Sequence, residues 1–198
     1  MRRNINNLYE ELIDKMSNIL TRDKKGKKIE FAHGVEMAIN LILKTKDAGR
    51  KMIFIGNGAS AAIASHISVD FWKNGGIRAV AFNDAALLTC ISNDYGYHYS
   101  FEKPIEMFAD KGDLLIAISS SGQSVNILNG ARAAKGRGCK VITLSGFKPD
   151  NPLSCMGDIN FYVSSVSYGQ VEVIHHSLCH SILDMIMERK GKRKRNKK

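Results

Sequence analysis

The chain has 198 residues, of which 44% are hydrophobic and 24% charged, and carries a formal net charge of +10. That length suits one well-buried domain, and the composition excludes a disordered or fibrous chain. No apolar run reaches the length of a membrane span. The arginines after Met1 lead to Glu10, Glu11 and Asp14 instead of a signal-peptide core, so the expected compartment is the cytoplasm.

Leu8, Leu12, Met16 and Leu20 recur every four residues and predict an amphipathic first helix. A polar, basic break follows at 21–26. A second helix is expected over about 29–46, with Val35, Ala38, Ile39 and Ile42 on its apolar face. Five short apolar segments come next, at 51–55, 78–82, 113–118, 140–144 and 159–163. Several are continuous runs, the pattern of parallel strands covered on both faces. Helical stretches separate most of them, and a long helix over about 169–189 closes the pattern. The expected fold is therefore α/β: a three-layer αβα sandwich with a mostly parallel sheet of about five strands, preceded by two helices.

Residues 191–198 form a basic tail. The last ten residues contain eight cations and no acid, which accounts for much of the net charge. No aromatic residue interleaves them as a base-stacking surface requires, so a solvated tail is expected and nucleic acid is not. Cys90, Cys139, Cys155 and Cys179 form no Cys-x-x-Cys pair and lie in or beside apolar stretches. Buried, reduced thiols are expected, not disulfides or a thiolate metal site.

Ligands of open α/β sheets gather outside the carboxyl ends of the strands. Two strands here run into small, hydroxyl-bearing loops. The first is Gly56-Asn57-Gly58-Ala59-Ser60 and the second Ser119-Ser120-Ser121-Gly122-Gln123-Ser124. Glycine lets backbone N–H groups approach an anion, the following helix offers its unpaired first-turn N–H groups, and serine adds short donors. Either loop alone is also explained by a tight turn with a serine cap. The pair points to a phosphate site formed by Asn57, Gly58, Ser60, Ser119, Ser120, Ser121 and Ser124. Ala61 stands where a dinucleotide fingerprint has its last glycine, and no Gly-Lys-Ser/Thr occurs, so a monophosphate is indicated.

These two loops, in this order and separation, resemble the sugar isomerase (SIS) domain family. Within it, nearly the whole chain is most similar to the phosphoheptose isomerases. The resemblance implies aldose–ketose isomerisation through an enediol, with sedoheptulose 7-phosphate as the expected substrate and surface-polysaccharide precursors as the setting. It also implies a homotetramer with sites where subunits meet.

That family holds zinc with a histidine and a glutamate four apart on the helix after the first loop. A glutamine and a histidine eight apart on the last helix complete the set. By position these become His66, Asp70, Glu172 and His180, with Asp70 and His180 as the acid–base pair and Glu172 also facing substrate. Asp70 is one methylene shorter than the family's glutamate, and Glu172 is a carboxylate in place of an amide. His176, one turn before His180, is a further candidate ligand. Asn74, beside Lys73, stands where the family has a basic residue. Asn93-Asp94 resembles the family's substrate-facing pair, although Tyr95-Gly96 after it also suits a turn. The departures keep a second reading open: a non-catalytic phosphosugar-binding or protein-interaction module.

Overall fold

The computed structural model describes residues 4–195, with Lys190 and residues 192–195 described in backbone only. Among the described residues there are seven α-helices and seven strands, largely interleaved. In order they are α1 (Ile5–Ser17), β1 (Leu20–Asp23), β2 (Lys28–Ile29), α2 (Phe31–Asp47), β3 (Met52–Gly56), α3 (Ala59–Lys73) and β4 (Ala79–Ala81). Then come α4 (Ala85–Tyr95), α5 (Glu102–Phe108), β5 (Leu114–Ser119), α6 (Val125–Gly136), β6 (Lys140–Ser145), β7 (Ile159–Tyr162) and α7 (Tyr168–Arg195). Two single turns of 3₁₀ helix lie at Tyr97–Tyr99 and Pro152–Cys155. Among the described residues no helix is long and apolar enough to cross a membrane.

All strands join one sheet in the order β2-β1-β7-β6-β5-β3-β4. The five expected strands are its parallel part, and the β1–β2 hairpin extends it by antiparallel pairing to β7. The sheet thus has seven strands, not about five, and a hairpin separates the first two helices. The expected break at 21–26 is this hairpin: Asp23 Oδ1 accepts from the N–H groups of Lys25 and Lys27, and Gly26 turns the chain with φ +78°. Leu20 belongs to β1 instead of the first helix. Its strand is fixed by Tyr162, far along the chain, which no local periodicity reveals.

Both faces of the sheet are covered, because successive strand residues point to opposite sides. Met52 and Phe54 of β3 and Leu114, Ile116 and Ile118 of β5 pack in one core, with residues of α2, α3 and α7. Ile53 and Ile55, with Leu115 and Ala117, pack in the other, with α5 and α6. The expected apolar face of α2 is buried at Val35, Ala38, Ile39 and Ile42. Cys139 and Cys179 are buried thiols as expected, but Cys90 and Cys155 are exposed. Cys90 lies on α4, a helix with no buried residue. The final helix runs to Arg195, so the first five residues of the expected tail continue it; residues 196–198 lie outside the described residues.

Candidate functional site

The sheet order sets the site. From β3 the chain crosses through α3 to β4 on one side, whereas β5 lies on the other side of β3 and leads away to β6 and β7. The carboxyl ends of β3 and β5 flank the crevice where the winding reverses, and Gly56 pairs with Ile118 there. Both serine loops leave the sheet at this point.

The first loop is shaped by its glycines. Gly58 has φ +54°, in the left-handed region. A Cβ on Gly56 would collide with the backbone of Ser60, so only glycine lets α3 start so close to the strand. In the second loop Gly122 has φ +64°, and its N–H donates to Ser119 Oγ at 3.2 Å. Ser119 Oγ donates to Ser124 Oγ at 3.3 Å, and Ser121 Oγ accepts from the N–H of Gln123 at 3.2 Å. Ser60, Ser119 and Ser120 are buried, and Ser120 Oγ has no hydrogen-bond partner among the described residues. Ser124 is the N-cap of α6 but makes no side-chain cap bond, as Gly58 makes none for α3. Two helix N-termini therefore keep first-turn N–H groups for an anion, beside a buried hydroxyl that lacks an acceptor.

Asn57 does something the sequence did not reveal. Its amide and that of Asn126 donate to each other's oxygen at 2.9 Å, and Tyr97 donates to Asn57 Oδ1 at 2.8 Å. Asn126 also donates to Ser100 Oγ at 3.2 Å. The Asn57 side chain thus ties the first loop to the start of α6. Asn126, Tyr97 and Ser100 carry no motif signal; only the pairing of β3 with β5 makes them neighbours.

The second part of the site lies where α3 packs on α7. His66 and Asp70, four residues apart on α3, share one face, and Asp70 Oδ2 is 3.3 Å from His66 Nε2. The same oxygen lies 3.8 Å from Nδ1 of His180 on α7. Asp70 Oδ1 accepts from the Asn74 amide at 3.2 Å. His180 Nε2 meets His176 Nε2 at 3.1 Å, and the His66 ring packs against both other rings with centroids 5.4 Å away. Partial burial, with the neighbouring His180 and His66, pushes the His176 pKa below its ordinary value; Asp70 opposes the shift. His175 faces the core instead. Its Nε2 donates to the Ser145 carbonyl at 3.2 Å, and burial drives its pKa down to about 4, so it is a neutral packing residue.

The convergent set differs from the expected one. His66, His176 and His180 each bring a ligand nitrogen within 4.8 Å of the others. Glu172 is half-buried one turn before His176, and its side chain makes no hydrogen bond or ion pair among the described residues. Asn93 and Asp94 sit in the last turn of α4, not in a turn of their own. Asn93 donates to Asp94 Oδ1 at 2.9 Å and Cys90 Sγ to Asp94 Oδ2 at 3.7 Å, and among the described residues neither Asn93 nor Asp94 bonds to the serine loops or the histidines.

Known proteins resemble this chain in sequence and fold. A family model described as SIS domain matches residues 13–146. The phosphoheptose isomerase of Aliarcobacter butzleri is 35% identical over 158 residues, covering 77% of this chain and 83% of the relative. That of Salmonella dublin is 31% identical over 188 residues, covering 92% and 94%. The solved phosphoheptose isomerase structure from Neisseria gonorrhoeae superposes with a TM-score of 0.80 at 28% identity, covering 92% of this chain and 97% of that one. The family match spans both serine loops and α3, and the relatives extend the likeness across most of the chain: it belongs to the SIS domain family, among the phosphoheptose isomerases.

Proposed function

We propose that this chain isomerises a phosphorylated sugar between aldose and ketose forms, with sedoheptulose 7-phosphate as substrate. The observation that carries the reading is the layout of α3. Its N-terminus, with Ser60, opens on the serine loops, and His66 lies six residues further along, about 9 Å at 1.5 Å per residue. A phosphate held at one end of an extended sugar chain would leave the carbonyl end beside Asp70 and the histidines.

The proposed division of work follows. Ser60, Ser119, Ser120, Ser121 and Ser124, with the N-termini of α3 and α6, anchor the phosphate, and its binding energy positions the reacting carbons. Asp70 and His180 are the acid–base pair: one removes the proton next to the carbonyl to give an enediol, and the other returns a proton to the neighbouring carbon. Asn74 and the histidines hold the Asp70 carboxylate on both oxygens, which fixes its direction. The convergence of the His66, His176 and His180 nitrogens fits zinc by donor type, with the Asp70 carboxylate beside two of the rings. His66, Asp70 and His180 of the expected ligands lie together; bound zinc would polarise the carbonyl and hydroxyl oxygens. The proposal includes a cytoplasmic homotetramer in which His180 serves a site shared with a neighbour, and a product used in surface-polysaccharide precursors.

The shorter Asp70 and the uncoupled Glu172 favour one rival, a phosphosugar sensor without turnover. Incubating purified protein with a panel of ketose phosphates in deuterated water separates the two. Carbon-bound deuterium supports isomerisation. Saturable binding without exchange, with or without added zinc, sinks it and leaves the sensor.

A further inference from the structure

We infer that His66, His176 and His180 form an all-histidine metal site in this chain, with His176 replacing Glu172 as a ligand and Asp70 orienting the rings. The inference deepens the reading above, resting on the same α3–α7 site but not on turnover.

Helix geometry favours His176. It lies four residues from His180, about 6 Å along the axis, so the two rings share one face of α7. Glu172 lies eight residues from His180, about 12 Å along the same axis. A histidine pair at i, i+4 is a recurrent zinc-binding arrangement on a helix. The distance agrees as well. Two nitrogens bound tetrahedrally at 2.0–2.1 Å sit about 3.3 Å apart, and His176 Nε2 and His180 Nε2 are 3.1 Å apart. The third ring, His66, comes from the facing helix with its ligand nitrogen within 4.8 Å of theirs.

Asp70 then takes the place of an outer-shell partner. Its Oδ2 faces one nitrogen of His180 and one of His66, leaving the other nitrogen of each ring for a metal. A carboxylate behind a metal-bound imidazole sets the ring's tautomer and direction. The missing methylene at Asp70 suits this role, because the carboxylate stays against the rings. A nitrogen-only set selects zinc, cobalt, nickel or copper over magnesium and calcium.

The test is titration of metal-stripped full-length protein with cobalt(II), read by its visible absorption without substrate. One cobalt per chain with intense four-coordinate bands is expected, and no comparable binding of magnesium. His176→Ala should lose more than about 100-fold in affinity, beyond the loss of an outer-shell partner, while Glu172→Gln changes it less than about 3-fold. Unchanged affinity in His176→Ala, a large loss in Glu172→Gln, or no saturable cobalt binding by the wild type would overturn the inference. Should His176→Ala fail to fold, the proton spectrum of the cobalt-loaded wild type decides. Three hyperfine-shifted imidazole N–H signals support the site, and fewer overturn it. Turnover without metal binding sinks this inference alone; metal binding without deuterium exchange sinks only the isomerase reading.

Discussion

Asn57 and Asn126 exchange side-chain hydrogen bonds at 2.9 Å although 69 residues separate them in the chain. The pair ties the first serine loop to the start of α6, directly after the second, so the register of the two loops depends on a bond outside the second loop itself. Asn126→Ala should weaken binding of a phosphate ester by about 1–2 kcal/mol, or about 5- to 30-fold, through loss of loop registration. Calorimetric titration with the substrate measures it. The double variant with Asn57→Ala should cost little more than either single change, since both break one unit. Additive losses would show that the two amides act independently.

Gly122 predicts a stability effect that its small size hides. Its φ is +64°, and a Cβ there would land on the Asn151 side chain, which donates to Ser145 Oγ and to the carbonyls of Gly146 and Lys148. Gly122→Ala should destabilise the fold by about 2–4 kcal/mol, from backbone strain and overpacking together. Gly136, at the end of α6, has open space around it. Gly136→Ala should be neutral or stabilising by up to about 1 kcal/mol. Urea unfolding of the two variants makes the comparison, and similar losses would refute the steric argument.

At the opposite end of the strands, Lys51 Nζ lies 2.6 Å from Asp113 Oδ2 and 2.9 Å from Asp110 Oδ2. The Asp113 side chain is 1% exposed and also accepts the N–H groups of Lys51 and Asp110. Lys51→Met leaves that carboxylate buried without its cation and should cost about 3–5 kcal/mol. Adding Asp113→Asn should recover part of the loss. Chemical denaturation reads the stability, while KM should stay unchanged because the pair lies at the end of the sheet away from the serine loops.

The four cysteines should divide in two. Burial pushes the Cys179 thiol up to about 12; burial, with Asp113 adding to it, pushes Cys139 up to about 11. Both are therefore protonated and shielded at pH 8. Iodoacetamide should label Cys90 and Cys155 in the native protein and reach the other two only after unfolding. Mass spectrometry of peptides checks this, and early labelling of Cys179 would contradict the packing of α7.

The parallel sheet and its helices were legible because burial on both faces leaves continuous apolar runs such as Met52-Ile53-Phe54-Ile55. The β1–β2 hairpin was not. Its strands are four and two residues long, and β1 is held by β7, so local pattern carries no trace of the pairing. The serine loops were legible for a different reason: glycine and serine clusters mark a backbone that must approach something closely. The clamp of Asn57 with Asn126 depends on which elements become neighbours, and single residues of ordinary type do not announce that; His176 was legible as a candidate from its i, i+4 step to His180, but its approach to His66 was not. The resemblance pointed to Glu172 by position; the geometry of α7 draws attention to His176 one turn away.

The order of the sheet also bears on how the chain is made. β3 lies between β4, which follows it soon, and β5, whose start is 62 residues beyond the start of β3 as counted from Lys51 to Asp113. At about 5–20 residues per second of synthesis, β3 waits roughly 3–12 s on the ribosome for its second neighbour. Throughout that interval one side of Met52-Ile53-Phe54-Ile55 has no strand to pair with. A nascent chain arrested before β5 should therefore be the species that chaperones hold and that aggregates when they are scarce.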